Sequence, residues 1–150
     1  MINEVTWKEC EQKVQEYMKS KGFQILETNF SCVGVELDIV AILPKKVQKK
    51  NLKKQTLQRI LDDKKHKSIY KISLKNAVKN LEDLLVITEV KGREDNKFGL
   101  GAEAVSDKKK SNIIRGARFL QKDSRFENCQ IRFDVASVDK GEITYIENAF

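Results

Sequence analysis

Apolar positions recur along this chain at two periods, and each change of period marks a new element. From Trp7 to Met18 the spacing is three and four, through Trp7, Cys10, Val14, Tyr17 and Met18. That is a helix with one apolar face. Thr6-Trp7-Lys8-Glu9 has the form of a capping box, and Gly22 suits the C-terminal stop. At about 100° per residue, Glu11 falls beside Trp7 and Met18 at the edge of the apolar arc, whereas Glu9 and Glu16 lie further from its centre. An acid at such a boundary is either a snorkelling surface residue or one that reaches inward.

Strand patterns follow. Phe23 to Ser31 alternates, Cys32 to Gly34 suits a turn, and Val35 to Leu43 is apolar on both sides until Pro44 ends it. Strict alternation places Glu36 and Asp38 on one face with Val40 and Ile42, and Val35, Leu37, Ile39 and Ala41 on the other. Leu84 to Arg93 is the stretch around which the chain is organised. Leu84 to Thr88 has the composition of a strand buried on both faces, and Glu89 and Lys91, two residues apart, then point to one side. Beyond a loop at Glu94 to Gly101, a helix is expected from about Glu103 to Lys122. Val105, Ile113, Ala117 and Leu120 would line its inner side, with Lys108-Lys109-Lys110 mostly outward. Ile131 to Val138 and Ile143 to Ile146 read as a hairpin turned by Lys140-Gly141. For Arg132 and Asp134 a structural pair is the favoured reading.

Residues 44–83 break this order. Lys45 to Lys67 predicts a long basic helix with a thin apolar stripe. Ile69 to Leu74 suits a short extra strand, and Leu74, Ala77, Val78 and Leu81 a helical turn or two. Composition sharpens the contrast. The chain has a formal net charge of +7, with 40% apolar and 34% charged residues. Residues 44–83 hold 13 Lys/Arg against 4 Asp/Glu, leaving 16 basic and 18 acidic residues elsewhere. The basic character therefore belongs to one segment, either a solvated insertion or an arm contacting nucleic acid through residues such as Lys49, Lys50, Lys53 and Lys54. Tyr70 is its only aromatic residue, a poor basis for a stacking platform.

The remaining counts restrict the chemistry. The 150 residues suit one domain. No apolar run approaches a membrane span, and Met1 to Glu4 lack a secretory pattern, so a cytoplasmic location is expected. Cys10, Cys32 and Cys129 are far apart and odd in number, which predicts small apolar residues rather than a zinc site. His66 is the only histidine and lies among lysines. A His-based triad is excluded, and any metal must be held by oxygen.

Glu89 and Lys91 alone suit a structural ion pair. A second acid in the same setting, Asp38, changes that reading. If their strands are neighbours, Asp38 and Glu89 can share one divalent cation, with the Val90 carbonyl as a further ligand. Mg²⁺ or Mn²⁺ suits such an all-oxygen site. Lys91 is then placed to orient a water or stabilise developing charge.

The pattern of Asp38 followed by Glu89-Val90-Lys91 resembles that of the PD-(D/E)XK nuclease superfamily. A closer similarity, nearly end to end, is to the YraN-like family of predicted endonucleases. It rests on Glu11, Tyr17, Met18 and Lys21-Gly22, on Gly34 to Ala41, and on Glu89-Val90-Lys91-Gly92-Arg93. Phe98-Gly99, Ala104-Val105, Lys109, Ala117 and Leu120, Arg132 to Val135, and Ala149-Phe150 complete it. The resemblance implies a restriction-endonuclease-like α/β core, one mixed sheet in the order α-β-β-β-α-β-β, with 44–83 as an insertion between the second and third strands. It implies Asp38 and Glu89 as metal ligands and Lys91 as the catalytic lysine. Glu11 would be a third acid, Glu36 a ligand or the partner of Asp38, and Arg93 and Lys109 phosphate contacts. Val35 and Val14 depart from the family's usual Gly and Ala. The expected function is a metal-dependent endonuclease on structured or branched DNA rather than RNA. The alternatives are a catalytically silent nucleic-acid-binding accessory protein and a protein-interaction domain whose basic arm docks an acidic partner.

Overall fold

The computed structural model describes residues 6–92 and 105–150. The chain opens with α1 (Trp7–Ser20), β1 (Gln24–Cys32) and β2 (Val35–Leu43). Two insertion helices follow, α2 (Lys45–Asp62) and α3 (Lys67–Lys79). The core resumes with β3 (Leu84–Gly92), α4 (Asp107–Leu120), β4 (Gln130–Asp139) and β5 (Glu142–Ile146). Among the described residues the five strands form one mixed sheet in sequential order. β3, with an unbroken run of six buried residues from Leu85 to Val90, lies at its centre, antiparallel to β2 and parallel to β4. With the insertion set aside, this is the expected restriction-endonuclease-like order.

Local chemistry accounts for the element ends. Thr6 and Glu9 form a reciprocal capping box at the start of α1, satisfying amides that a helix N-terminus leaves unpaired. Val33 and Gly34 turn β1 into β2, and Lys140 and Gly141 turn β4 into β5. Each pair takes two successive positive φ angles, as tight hairpins with right-twisted strands require.

The helices cover opposite faces. Cys10, Val14 and Met18 of α1 pack on Ile39, Val86 and Val90. Ile113, Ala117 and Leu120 of α4 pack on Leu37, Leu85 and Val135. α4 comes close to β2 at Gly116, where a Cβ would lie 3.0 Å from Leu37 Cδ2. Cys10 and Cys32 are buried free thiols, as their small-apolar reading requires.

Three expectations need correction. Val35 and Leu37 do not share a face with Ile39 and Ala41: the first two pack under α4 and the last two under α1. The alternation reverses at Asp38. Opposite it, between the pairs Thr28↔Ile39 and Phe30↔Leu37, Asn29 takes a left-handed φ of +49, and that kink rotates both strands. Second, Ile69 to Leu74 is helical, inside α3. Tyr70, Leu74 and Val78, spaced by four, are its less exposed positions, which is a helix stripe. Third, the basic helix breaks near Asp63, whose side chain accepts from the Lys65 amide and caps a short 3-10 turn.

Candidate active site

The sheet forks where the two acids stand. β2 and β3 pair from Leu43↔Leu84 to Ile39↔Thr88. Beyond that point β2 continues along β1, and β3 along β4 from Glu89↔Val135 to Gly92↔Val138. Asp38 and Glu89 are the next residues on the two parting strands. Asp38 Oδ2 accepts a 2.8 Å hydrogen bond from the Val90 amide across the opening.

Both carboxylates are buried, Asp38 at 6% and Glu89 at 4% exposure. Burial, the largest cause, raises the pKa of Asp38; the negative charge of Glu11 adds to it, and the Val90 amide opposes it. Glu89 is pushed up to about 7, chiefly by burial and then by the charge of Asp38, against the attraction of Lys109 and Lys91. Two acids this close cannot both ionise freely without a counter-charge. Glu89 Oε1 is 3.3 Å from Lys109 Nζ and 3.9 Å from Lys91 Nζ. Among the described residues its buried Oε2 meets no donor, and the hydrogen bond Glu89 shares with Asp38 needs a proton between the two acids.

The elements explain this gathering. Leu85 and Ile87 face α4, so period two carries Glu89 and Lys91 to the same side. Ser106 caps α4 by accepting from the Lys109 amide, which puts Lys109 on the first turn. Within Lys108-Lys109-Lys110 the expected outward direction therefore fails for Lys109, which turns toward Glu89.

Glu11 is buried at 6% but already engaged. Oε1 accepts from Trp7 Nε1 at 2.8 Å, and Oε2 from Asn29 Nδ2 at 3.1 Å. It borders the site as a fixed negative charge. Glu36 is exposed, on the hairpin side of the reversal. Arg93 lies outside the described residues. Lys49, Lys50, Lys53 and Lys54 are exposed on α2, which leaves the sheet at Leu43, the end away from the fork. Arg132 and Asp134 are the structural pair they were expected to be. Fully buried Asp134 accepts from Arg132 Nε and Nη2 at 2.8 and 2.7 Å, Tyr145 OH at 2.6 Å and the Asn148 amide at 2.9 Å. Tyr145 OH also meets Thr88 Oγ1 at 3.0 Å. Burial and the charge of Asp134 push the Tyr145 phenol far above its usual range.

Sequence reasoning missed Asn29 and the coupling of Trp7 to Glu11. The second was signalled by their i, i+4 spacing, which makes helix neighbours; the first depends on a kink that no local pattern announces.

Among the described residues no group of three or more His, Cys, Asp or Glu forms a ready cation cage. The fork offers two facing carboxylates, one with an unsatisfied buried oxygen, and no nitrogen or sulfur donor. That set fits a hard divalent cation that keeps several waters. Among the described residues, too, no helix is long and apolar enough to cross a membrane.

The model of the uncharacterised protein family UPF0102 matches residues 10–138. Among curated relatives, a UPF0102 protein of Persephonella marina is 27% identical over 100% of this chain and 97% of its own length. One of Clostridium acetobutylicum is 29% identical over 93% of this chain and 88% of its own. A shorter match, 40% identical, covers 44% of this chain and 57% of a Saccharophagus degradans protein of the same description.

Proposed function

The chain belongs to the UPF0102 (YraN) family, and from that premise we propose that it is a metal-dependent endonuclease hydrolysing phosphodiester bonds in nucleic acid, with structured or branched DNA as the preferred substrate. One observation carries the reading. Two buried carboxylates meet at the sheet fork, and one keeps an orphaned oxygen beside two lysines. Burying such a pair costs several kcal/mol unless something neutralises it, and structural ion pairs are not arranged this way. The Asp134 network in the same sheet shows the contrast, with every oxygen engaged.

Asp38 and Glu89 would hold Mg²⁺ or Mn²⁺. In a strand the amide and carbonyl of one residue leave along the same edge, so the Val90 carbonyl is directed toward the fork and suits a third ligand. The cation, when bound, supplies polarisation of the phosphoryl group and acidification of a water. Lys91, 20% exposed, orients the attacking water and stabilises charge on the phosphate. Lys109, 3.3 Å from Glu89 Oε1, would be free to meet a phosphate oxygen where that carboxylate served a cation instead. The exposed lysines of α2 supply salt-sensitive affinity from a distance.

The test is cleavage of duplex, single-stranded, forked, four-way-junction and RNA substrates with Mg²⁺, Mn²⁺ or EDTA, beside Asp38→Asn and Lys91→Ala. Cleavage that requires metal and is lost in both variants is expected. Absence of cutting by the intact protein, with tight salt-sensitive binding retained in the variants, would leave it a nucleic-acid-binding accessory.

A further inference from the structure

Trp7 lies on the α1 side of the sheet, tied to Glu11, whose charge acts on Asp38 at the fork, and its environment is unusual for a tryptophan on the first turn of a helix. It is 45% exposed, so much of the ring surface that normally favours burial faces solvent. Yet the ring is fixed at two edges. Its Nε1 donates to buried Glu11, itself held by Asn29. At the other edge, a Cβ on Gly92 would lie 3.7 Å from Cζ3 and 3.9 Å from Cε3, so the ring rests on the backbone one residue past Lys91.

An exposed, immobilised aromatic face beside a cationic site that handles phosphate suits a nucleobase. Stacking needs a π-face, tolerates any base, and gains from a ring whose orientation costs nothing to fix. Other aromatics do not serve. The exposed Trp and Phe side chains among the described residues are Trp7 and Phe119, and Phe119 is ten residues from Lys109 on α4, about 15 Å along its axis. Tyr70 on the basic arm is tied to Asp63. In a continuous duplex the bases are stacked on one another and show no free face. We propose that Trp7 is the stacking platform for an unpaired base next to the phosphodiester held at the fork, which makes the substrate a strand with unstacked nucleotides there: a flap, an overhang or a single strand. This rests on the hydrolase reading above for the identity of the site, but not for its test.

Trp7 is the only tryptophan of the chain, so its emission reports directly on that ring. The full chain is titrated in EDTA with a single-stranded oligodeoxynucleotide, a blunt duplex, and the same duplex carrying a short overhang. Binding is followed in parallel by anisotropy of a labelled strand. The single strand and the overhang are expected to quench Trp7. Trp7→Ala should weaken their binding by about 5- to 150-fold, the range that loss of one stacked base gives, with blunt duplex changed less than about twofold. Trp7→Phe should recover most of the loss. Binding that leaves Trp7 emission unchanged, or a Trp7→Ala loss equal for all three ligands, overturns the proposal. Because cutting is switched off, quenching by a protein that never cleaves sinks only the hydrolase reading. Cleavage with a silent Trp7 sinks only this one, and failure to bind any of the three sinks both.

Discussion

Replacing Glu89 by Gln tests whether the fork stores unfavourable free energy that a cation relieves. In the metal-free protein the Glu89 carboxyl is pushed from an ordinary 4.5 to about 7. Burial and then the charge of Asp38 oppose its ionisation, and Lys109 and Lys91 favour it without prevailing. The folded state therefore holds a proton that the unfolded chain releases above 4.5. Stability from this group is fully present below 4.5 and is lost as the pH rises through about 7. At about 1.4 kcal/mol per pH unit the interval corresponds to roughly 3 kcal/mol, or about 6–12 °C in Tm for a domain of this size. Gln cannot ionise. Urea denaturation in EDTA at pH 5 and pH 8.5 should show the parent protein losing stability between the two and Glu89→Gln losing far less, so that the variant is the more stable at pH 8.5. Saturating Mn²⁺ at pH 8.5 should then stabilise the parent by about 3 kcal/mol at a hundredfold excess over Kd, and leave the variant unmoved. Parallel losses in the two proteins, or a variant less stable at pH 8.5, would refute the argument.

Two further outcomes follow from the same geometry. Asp134→Ala leaves the Arg132 guanidinium, the Tyr145 phenol and the Asn148 amide without their shared acceptor, and should cost about 3–5 kcal/mol in chemical denaturation. Any folded fraction should still bind Mn²⁺ by calorimetry; loss of metal binding there would place Asp134 in the site. Removing residues 49–79 and closing the gap with a short turn keeps Gln48, which bonds the carbonyls of Leu43 and Glu82. The helices removed contribute no buried residue. That variant should bind nucleic acid more weakly and with a shallower salt slope, with Mn²⁺ affinity unchanged; a folded variant that no longer binds Mn²⁺ would show the arm to be part of the site.

How far the sequence was legible depended on whether the cause was local. The capping box at Thr6 and Glu9, the hairpin turn at Lys140-Gly141 and the central strand are written in neighbouring residues, and each stands where its pattern put it. So is the Arg132–Asp134 pair, because two residues apart on a strand means one face. The reversal at Asp38 is not local. It is imposed with the left-handed Asn29 on the opposite strand, so alternation along β2 alone misassigns Val35 and Leu37. Ile69 to Leu74 carries β-branched and aromatic residues, but the segment packs against α2 rather than against a strand, and context decides over propensity. Lys109 was singled out by the family resemblance alone, because periodicity did not separate it from its neighbours: it turns to Glu89, whereas Lys110 lies over the Phe150 ring.

The hydrogen bond from the Val90 amide to Asp38 has a consequence for the parting of the strands. A sheet is a zipper, and two strands paired as far as Ile39↔Thr88 tend to pair one residue further, since every buried amide needs an acceptor. Asp38 is a wedge against that closure: its carboxylate takes the amide that the next rung would have used. Truncating it to Ala removes a negative charge and the wedge together, and invites the gap to zip shut. Asparagine keeps an acceptor of the same shape in the same place. The opening of this sheet is thus maintained by one of the groups that line it, and the gap and its chemistry are inherited, or lost, as a unit.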